Sequence, residues 1–174
     1  MPERMDEARS YRPGVREDFD RLYRDSYRRI LFTLTGILRD LDAAEECAQE
    51  AFVRAYRAWD RWKPEAPAEA WLHRIALNVA TSYRRRESAK RMAEALLHPF
   101  VQPDARGMEE GTELLDVLRR LPPRDAALLV LRHHHGYSNR EVAYALGLPE
   151  STVASRAAAA KRRLAAQLSW DEVR

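Results

Sequence analysis

Residues 138–156 constrain the fold more tightly than any other stretch of this chain. Ser138-Asn139-Arg140-Glu141-Val142-Ala143 leads into Ala145-Leu146-Gly147-Leu148, and then into Ser151-Thr152-Val153 and Ser155-Arg156. Apolar residues at helical spacing, a glycine-containing break and a second helix with polar residues on its first turn predict a helix-turn-helix. In that motif the second helix enters the DNA major groove N-terminus first. The partner class implied is double-stranded DNA.

The rest of the chain is also helical in period, and no alternating strand pattern interrupts it. Val15, Phe19, Leu22, Tyr23, Tyr27, Ile30, Leu31, Leu34 and Leu38 recur at spacings of three and four. A second helix is predicted from about Asp42, its N-cap, to about Trp62. Its apolar stripe is Ala44, Cys47, Ala48, Ala51, Phe52, Ala55, Tyr56 and Trp59. Pro64 and Pro67 break it, because each removes a donor and fixes the backbone. A third helix carries Trp71, Leu72, Ile75, Val79 and Tyr83 on one face and ends in Arg84-Arg85-Arg86. From Ala89 to Thr112 the pattern fades among Pro99, Pro103, Asp104, Gly107 and Gly111, as in an interdomain linker. A second helical region follows: Leu114 to Leu121, then Pro122-Pro123 at a helix start, then a stripe from Ala127 to Leu131 broken by Gly136. The predicted architecture is all-α, with two small helical domains at 12–88 and 113–169 joined by a flexible linker at 89–112. The C-terminal domain carries the helix-turn-helix.

At 174 residues the chain holds one medium domain or two small ones. One third of the residues are charged, no apolar run is long enough to span a bilayer, and no N-terminal segment has signal-peptide character. These features predict a soluble protein without membrane insertion. A single cysteine, Cys47, cannot form an internal disulfide and fits a reducing cytoplasm. The net charge of +3 is small, but it is unevenly spread. Arg84, Arg85, Arg86, Lys90 and Arg91 form one basic block; Lys161, Arg162 and Arg163 form another. Acidic residues gather at Asp40, Asp42, Glu45, Glu46 and Glu50, and again between Asp104 and Asp116. This separation suggests phosphate contacts at two places and a protein partner at a third.

Within the C-terminal motif, Val142, Ala143, Leu146, Leu148, Val153, Ala157 and Leu164 supply the core that fixes the helix crossing. Ser151 or Thr152 serves as cap or contact, and Ser155 and Arg156, one turn in, face the groove. Arg156 can pair bidentately with guanine or hold a phosphate. Arg140, Lys161 and Arg162 are read as DNA-backbone contacts. His133-His134-His135 has a metal-like composition, yet adjacent helical residues point in different directions and no Cys or Asp completes a site. They are expected to be surface histidines near a turn. Cys47, Trp59, Trp62, Trp71 and Tyr83 are expected mostly in the core. No phosphate-binding glycine loop, nucleophile elbow or catalytic metal motif is present, so no enzyme activity, cofactor or metal is expected.

The run from Asp42 to Tyr56, Trp71-Leu72-His73-Arg74-Ile75-Ala76-Leu77-Asn78, Arg84-Arg85-Arg86, Leu121-Pro122-Pro123 and the helix-turn-helix stand in one order. Together they resemble the extracytoplasmic-function sigma factors of bacterial RNA polymerase, from about Glu17 to Leu168. The resemblance implies that Asp42, Glu45, Glu46, Gln49, Glu50 and Arg54 meet the clamp helices of the largest subunit of core RNA polymerase. It implies that the segment Lys63 to Glu69 and the following helix read the −10 element of promoter DNA. The residues matched there are Lys63, Asn78, Ser82, Arg84, Arg85 and Arg86, with Arg74 carried for helix-surface reasons. Arg140, Ser151, Thr152, Ser155, Arg156, Lys161 and Arg162 would read the −35 element. An anti-sigma factor is implied as a further partner.

Several departures from the family pattern stand out. The acidic pair is Glu45-Glu46 where glutamate then aspartate is common. The loop has two prolines and no glycine, so its base preference is not inherited. Ala154 replaces a frequent basic residue, and Ala157 to Ala160 narrows the readers to the first turn. Two alternatives remain: a stand-alone helix-turn-helix regulator that dimerises through its N-terminal helices, and a protein-interaction module that sequesters a partner.

Overall fold

The computed structural model describes residues 11–97 and 113–172, and all regular structure among them is helical. The first helix, α1, spans Arg16–Leu38. Its entry is tied down by Asp18, whose carboxylate accepts from the Arg12 backbone N–H at 2.9 Å and from its Nε at 2.8 Å. It ends at Arg39, which takes a left-handed φ of 62° and donates its backbone N–H to the Thr35 carbonyl.

Helix α2 spans Leu41–Ala58. Asp40 caps it, its side chain accepting from the Ala43 N–H at 3.0 Å. The cap therefore sits two residues before the predicted Asp42, which lies in the first turn, where its charge still complements the helix dipole. The helix stops at Ala58, before the predicted Trp62, and a 3₁₀ turn at Trp59–Arg61 follows. That turn lets the Trp59 and Trp62 rings stack 5.1 Å apart and 6° from parallel, while Trp59 Nε1 donates to the Val15 carbonyl.

Helix α3, Ala68–Leu97, continues well past the arginine run where the sequence pattern fades. Residues 87–97 contain no glycine or proline and are rich in strong helix formers, so the backbone stays helical. The apolar period fades there because that part buries no side chain: Met92, Leu96 and Leu97 are each more than two-thirds exposed.

The second region holds α4 (Glu113–Leu118), α5 (Pro123–Leu129), α6 (Asn139–Leu146) and α7 (Glu150–Glu172). Pro123 occupies the first turn of α5, as predicted. A π turn at Val130–His134 and Gly136, at φ 73°, redirect the chain into α6. Ser138 and Glu141 form a capping box at the start of α6: Ser138 Oγ accepts from the Glu141 N–H, and the Glu141 carboxylate accepts from the Ser138 N–H. Gly147, at φ 62°, supplies the left-handed turn of the helix-turn-helix.

Two cores result. The first joins Leu22, Ile30, Leu34, Cys47, Phe52, Trp59 and Leu72 across α1, α2 and α3. The second joins Leu121, Leu128, Leu131, Val142 and Val153, and it also takes in Ile37 of α1 with Ala70 and Leu77 of α3. The two regions therefore pack against each other, with α3 beside α6 and α1 beside α5. Tyr56, predicted on the apolar stripe of α2, is instead 53% exposed. Its ring meets that of Phe19 in a T-shaped contact with centroids 5.2 Å apart.

Cys47 lies in the first core as expected, and burial pushes its thiol up to about 11. The thiolate is the reactive form, so at pH 7.5 its alkylation should run at least about 100-fold slower than that of a free thiol. Iodoacetamide labelling before and after addition of guanidinium checks this. Rapid labelling of the native chain would contradict the packing described.

Candidate nucleic-acid interface

Helix α2 alternates buried Ala43, Ala44, Cys47, Ala48 and Ala51 with an outer face on which Asp42, Glu45, Glu46, Gln49, Glu50 and Arg54 are all exposed. Five of these six residues are acidic or amide-bearing, and the sixth, Arg54, is drawn to Glu50 at 2.6 Å one turn away. Leu41, Val53 and Tyr56 add exposed apolar area to the same helix. An acidic face with apolar insets suits a basic partner that also buries hydrocarbon. Sequence periodicity missed this apolar contribution because Tyr56 sits at the stripe's edge.

The loop after α2 is anchored by buried Trp62, which leaves Lys63 and Pro64 exposed. Pro64, Glu65, Ala66 and Pro67 form one wall of an open cleft of about 1100 Å³. The opposite wall comes from the second region: Ser138, Arg140, Glu141 and Tyr144. Arg140 thus faces the loop across a cleft, while Ser151 and Arg156 sit on the other helix of the motif.

On α3, Asn78, Ser82, Arg85 and Arg86 are exposed, and their spacing of four, three and one places them on one face. Arg84 points elsewhere. It lines a cleft of about 740 Å³ with Arg39, Arg91, Arg120 and Arg163, against a single acid, Glu87. It also joins Asn78 and Thr81 around a small cavity of about 80 Å³ closed by Arg124 and Ala145 of the second region. Arg74 stands over the Tyr144 ring at 5.1 Å, so it holds the regions together.

On α7, Ser151, Ser155 and Arg156 are exposed on the first two turns, and Lys161 and Arg162 are exposed farther along. The Thr152 hydroxyl donates to the Pro149 carbonyl at 2.7 Å and the Ser155 hydroxyl to the Thr152 carbonyl at 3.0 Å. Their oxygens remain able to accept. Arg163, in contrast, pairs with Asp125 at 2.9 Å and braces α7 against α5.

One member of the histidine run departs from expectation. His133 and His134 are exposed, His134 also stacking on Phe32 of α1 at 4.3 Å, whereas His135 is half-buried and enters the contact between regions. There it meets Thr33, fully buried His73 and Tyr137. No spacing rule flags His73, because its side-chain partners lie on another helix and in the other region. Among the described residues no cluster of His, Cys, Asp or Glu is placed to hold a metal ion, and no helix is long and apolar enough to cross a membrane.

Residues 22–90 match Sigma-70 region 2, and residues 111–164 match Sigma-70, region 4. The chain is 33% identical over 160 residues to the ECF RNA polymerase sigma factor SigM of Mycobacterium tuberculosis, covering 90% of this chain and 80% of that protein. It is 31% identical over 158 residues to the RNA polymerase sigma-E factor of Streptomyces antibioticus, covering 87% and 84%. Among solved structures, CnrH in complex with the cytosolic domain of CnrY superposes with a TM-score of 0.60 at 26% identity, over 91% of this chain and 92% of that one. The sigma factor RpoE of Bartonella quintana, in complex with the anti-sigma factor NepR, shares the fold at a TM-score of 0.70 and 21% identity, over 88% and 98%.

The Glu50–Arg54 pair is a surface pair one helical turn apart, so it contributes at most about 0.5 kcal/mol. Arg54→Ala should leave the denaturation midpoint nearly unchanged, as thermal unfolding followed by circular dichroism will show. A large loss of stability would mean that the face is structural.

Proposed function

The chain belongs to the extracytoplasmic-function sigma factors, which direct transcription initiation by RNA polymerase, and on that footing we propose a division of labour among its surfaces. Residues 12–88 act as the unit that binds core polymerase and the −10 element; residues 113–169 act as the unit that binds the −35 element; residues 89–112 connect them. The α2 face of Asp42, Glu45, Glu46, Gln49, Glu50 and Arg54, with Tyr56 added, docks on the clamp helices of the largest polymerase subunit. Its acidic character supports this role.

Lys63 and the loop behind it, with Asn78, Ser82, Arg84, Arg85 and Arg86, hold the opened −10 strand. The supporting observation, and the one that carries the reading, is the single exposed α3 face of one amide, one hydroxyl and two guanidiniums, on the helix that follows the loop anchored by buried Trp62. Such a face offers base-edge hydrogen bonds and backbone charge together. Ser151, Thr152, Ser155 and Arg156 read the −35 duplex, while Arg140, Lys161 and Arg162 contact its phosphates. The protein works in the cytoplasm without catalysing a reaction, and an anti-sigma factor covers it when it is idle. The complexes of CnrH with CnrY and of RpoE with NepR support that last assignment.

Centres about 25 base pairs apart lie about 85 Å apart along B-DNA, at about 3.4 Å per base pair. A compact chain of 174 residues has a radius of gyration of only about 16 Å. The packed regions must therefore separate for both elements to be held at once. Residues 98–112 can span at most about 50 Å when fully extended, enough to allow a large displacement.

Run-off transcription with core polymerase on a promoter library tests the assignment. Wild type should start at a shared two-box sequence, Asn78→Ala should lose selectivity at the downstream box, and Arg156→Ala at the upstream box. Each lost contact of this kind corresponds to about 1–3 kcal/mol, or roughly 5- to 150-fold in selectivity. Unchanged selectivity in either variant would remove that residue from its role.

A further inference from the structure

The contact between the regions has a polar centre that is unusual for a surface meant to come apart. Thr33 Oγ1 of α1 lies 2.9 Å from His135 Nε2 of the second region and 3.3 Å from His73 Nε2 of α3. His73 Nδ1 lies 2.9 Å from the Glu69 carbonyl and 3.0 Å from Tyr137 Oη. His135 Nε2 also approaches the Arg29 carbonyl at 3.2 Å, and Arg29 Nη2 donates to the His135 carbonyl at 2.8 Å. A carbonyl only accepts, so the proton of neutral His73 belongs on Nδ1 and that of neutral His135 on Nε2.

In the closed molecule each ring is therefore used as a neutral donor, and an added proton is opposed from several sides. The Arg29 guanidinium, which stands 5.2 Å over the Tyr137 ring, faces both histidines, and His134 faces His135. Arg140 adds positive charge across the cleft, and Glu65, Glu69 and Glu141 line the same cleft. No carboxylate is within hydrogen-bond distance of either imidazole among the described residues.

We propose that the His73–Thr33–His135–Tyr137 cluster is an acid-released latch: protonation of its imidazoles drives the two regions apart and frees the surfaces that the packed form crowds. Asn78 and Arg84 line cavities shared with the second region, and opening removes the wall facing them. The latch rests on the promoter-reading assignment only for its consequence; the opening is a property of the free chain.

Burial first, then the neighbouring His135 and Arg29, holds His73 down at about 3. Burial, then Arg29 and His134, holds His135 at about 4. An imidazole released to water titrates near 6.5, so the open form binds more protons than the closed form below that value. Closure is fully stable above about pH 6.5 and weakens as pH falls toward 4. Between pH 7.5 and 5.5 the ratio of open to closed rises by about tenfold for each histidine that regains an ordinary value.

Small-angle scattering of the full chain from pH 7.5 to 5.5, with far-ultraviolet circular dichroism on the same samples, tests the latch. The expected result is a growing radius of gyration with unchanged helicity, and a pH dependence about tenfold weaker in His135→Gln, whose amide does not titrate. In wild type the His135 ring proton should shift in NMR with the same midpoint as the expansion, which keeps the test valid should the variant not fold. A radius constant with pH, an expansion that tracks loss of helix, or the same response in His135→Gln would overturn the proposal. Promoter selectivity measured at pH 7.5 separates a failure of the latch from a failure of the promoter assignment.

Discussion

Burial of α3 on two sides sets where every other element can lie. Leu72, Ala76 and Ala80 pack toward α1 and α2, while Ala70 and Leu77 enter the core of the second region. Fully buried His73 lies between these sets, so its polar nitrogens must find partners within the protein. Thr33, the Glu69 carbonyl and Tyr137 supply them, drawn from α1, from α3 and from the second region. Removing the second region would take Tyr137 from His73 and leave the Glu69 carbonyl as the acceptor of its Nδ1 proton. The contact is thus specific in geometry as well as apolar in area.

The helices, the helix-turn-helix and most of the core were legible from period and punctuation alone. Ser138, Gly147 and Pro123 perform the capping and turning that their chemistry dictates, and Val142, Val153 and Leu72 are buried as their spacing requires. The matches to sigma regions 2 and 4 remove the stand-alone regulator as an alternative, since such a protein needs no region 2.

The misses share one physical origin. Helical angle puts Tyr56 on the apolar stripe, but a helix at the edge of a small bundle covers a narrower arc than its stripe suggests. Nothing near His135 in sequence offers it a partner, so the chain's pattern leaves it on the surface; its partners Thr33 and Arg29 lie on α1, about a hundred positions away. The end of α3 was obscured because periodicity reports packing rather than backbone conformation. Residues 87–97 are helical without a buried face.

That unpacked end of α3 also shapes the mechanics of the molecule. From Arg86 to Leu97 the helix rises about 16 Å at about 1.5 Å per residue. The connection to the second region therefore leaves from the tip of a stiff spar. On the proposed assignment, which seats Asn78 and its neighbours on DNA, the direction of that tip biases the zone that the second region can sweep. Its effective concentration at the upstream element then depends on the spar's direction as well as on tether length. A glycine placed near Arg91 would act as a swivel in that spar, altering tolerance for the distance between the two DNA elements while leaving every contacting side chain in place.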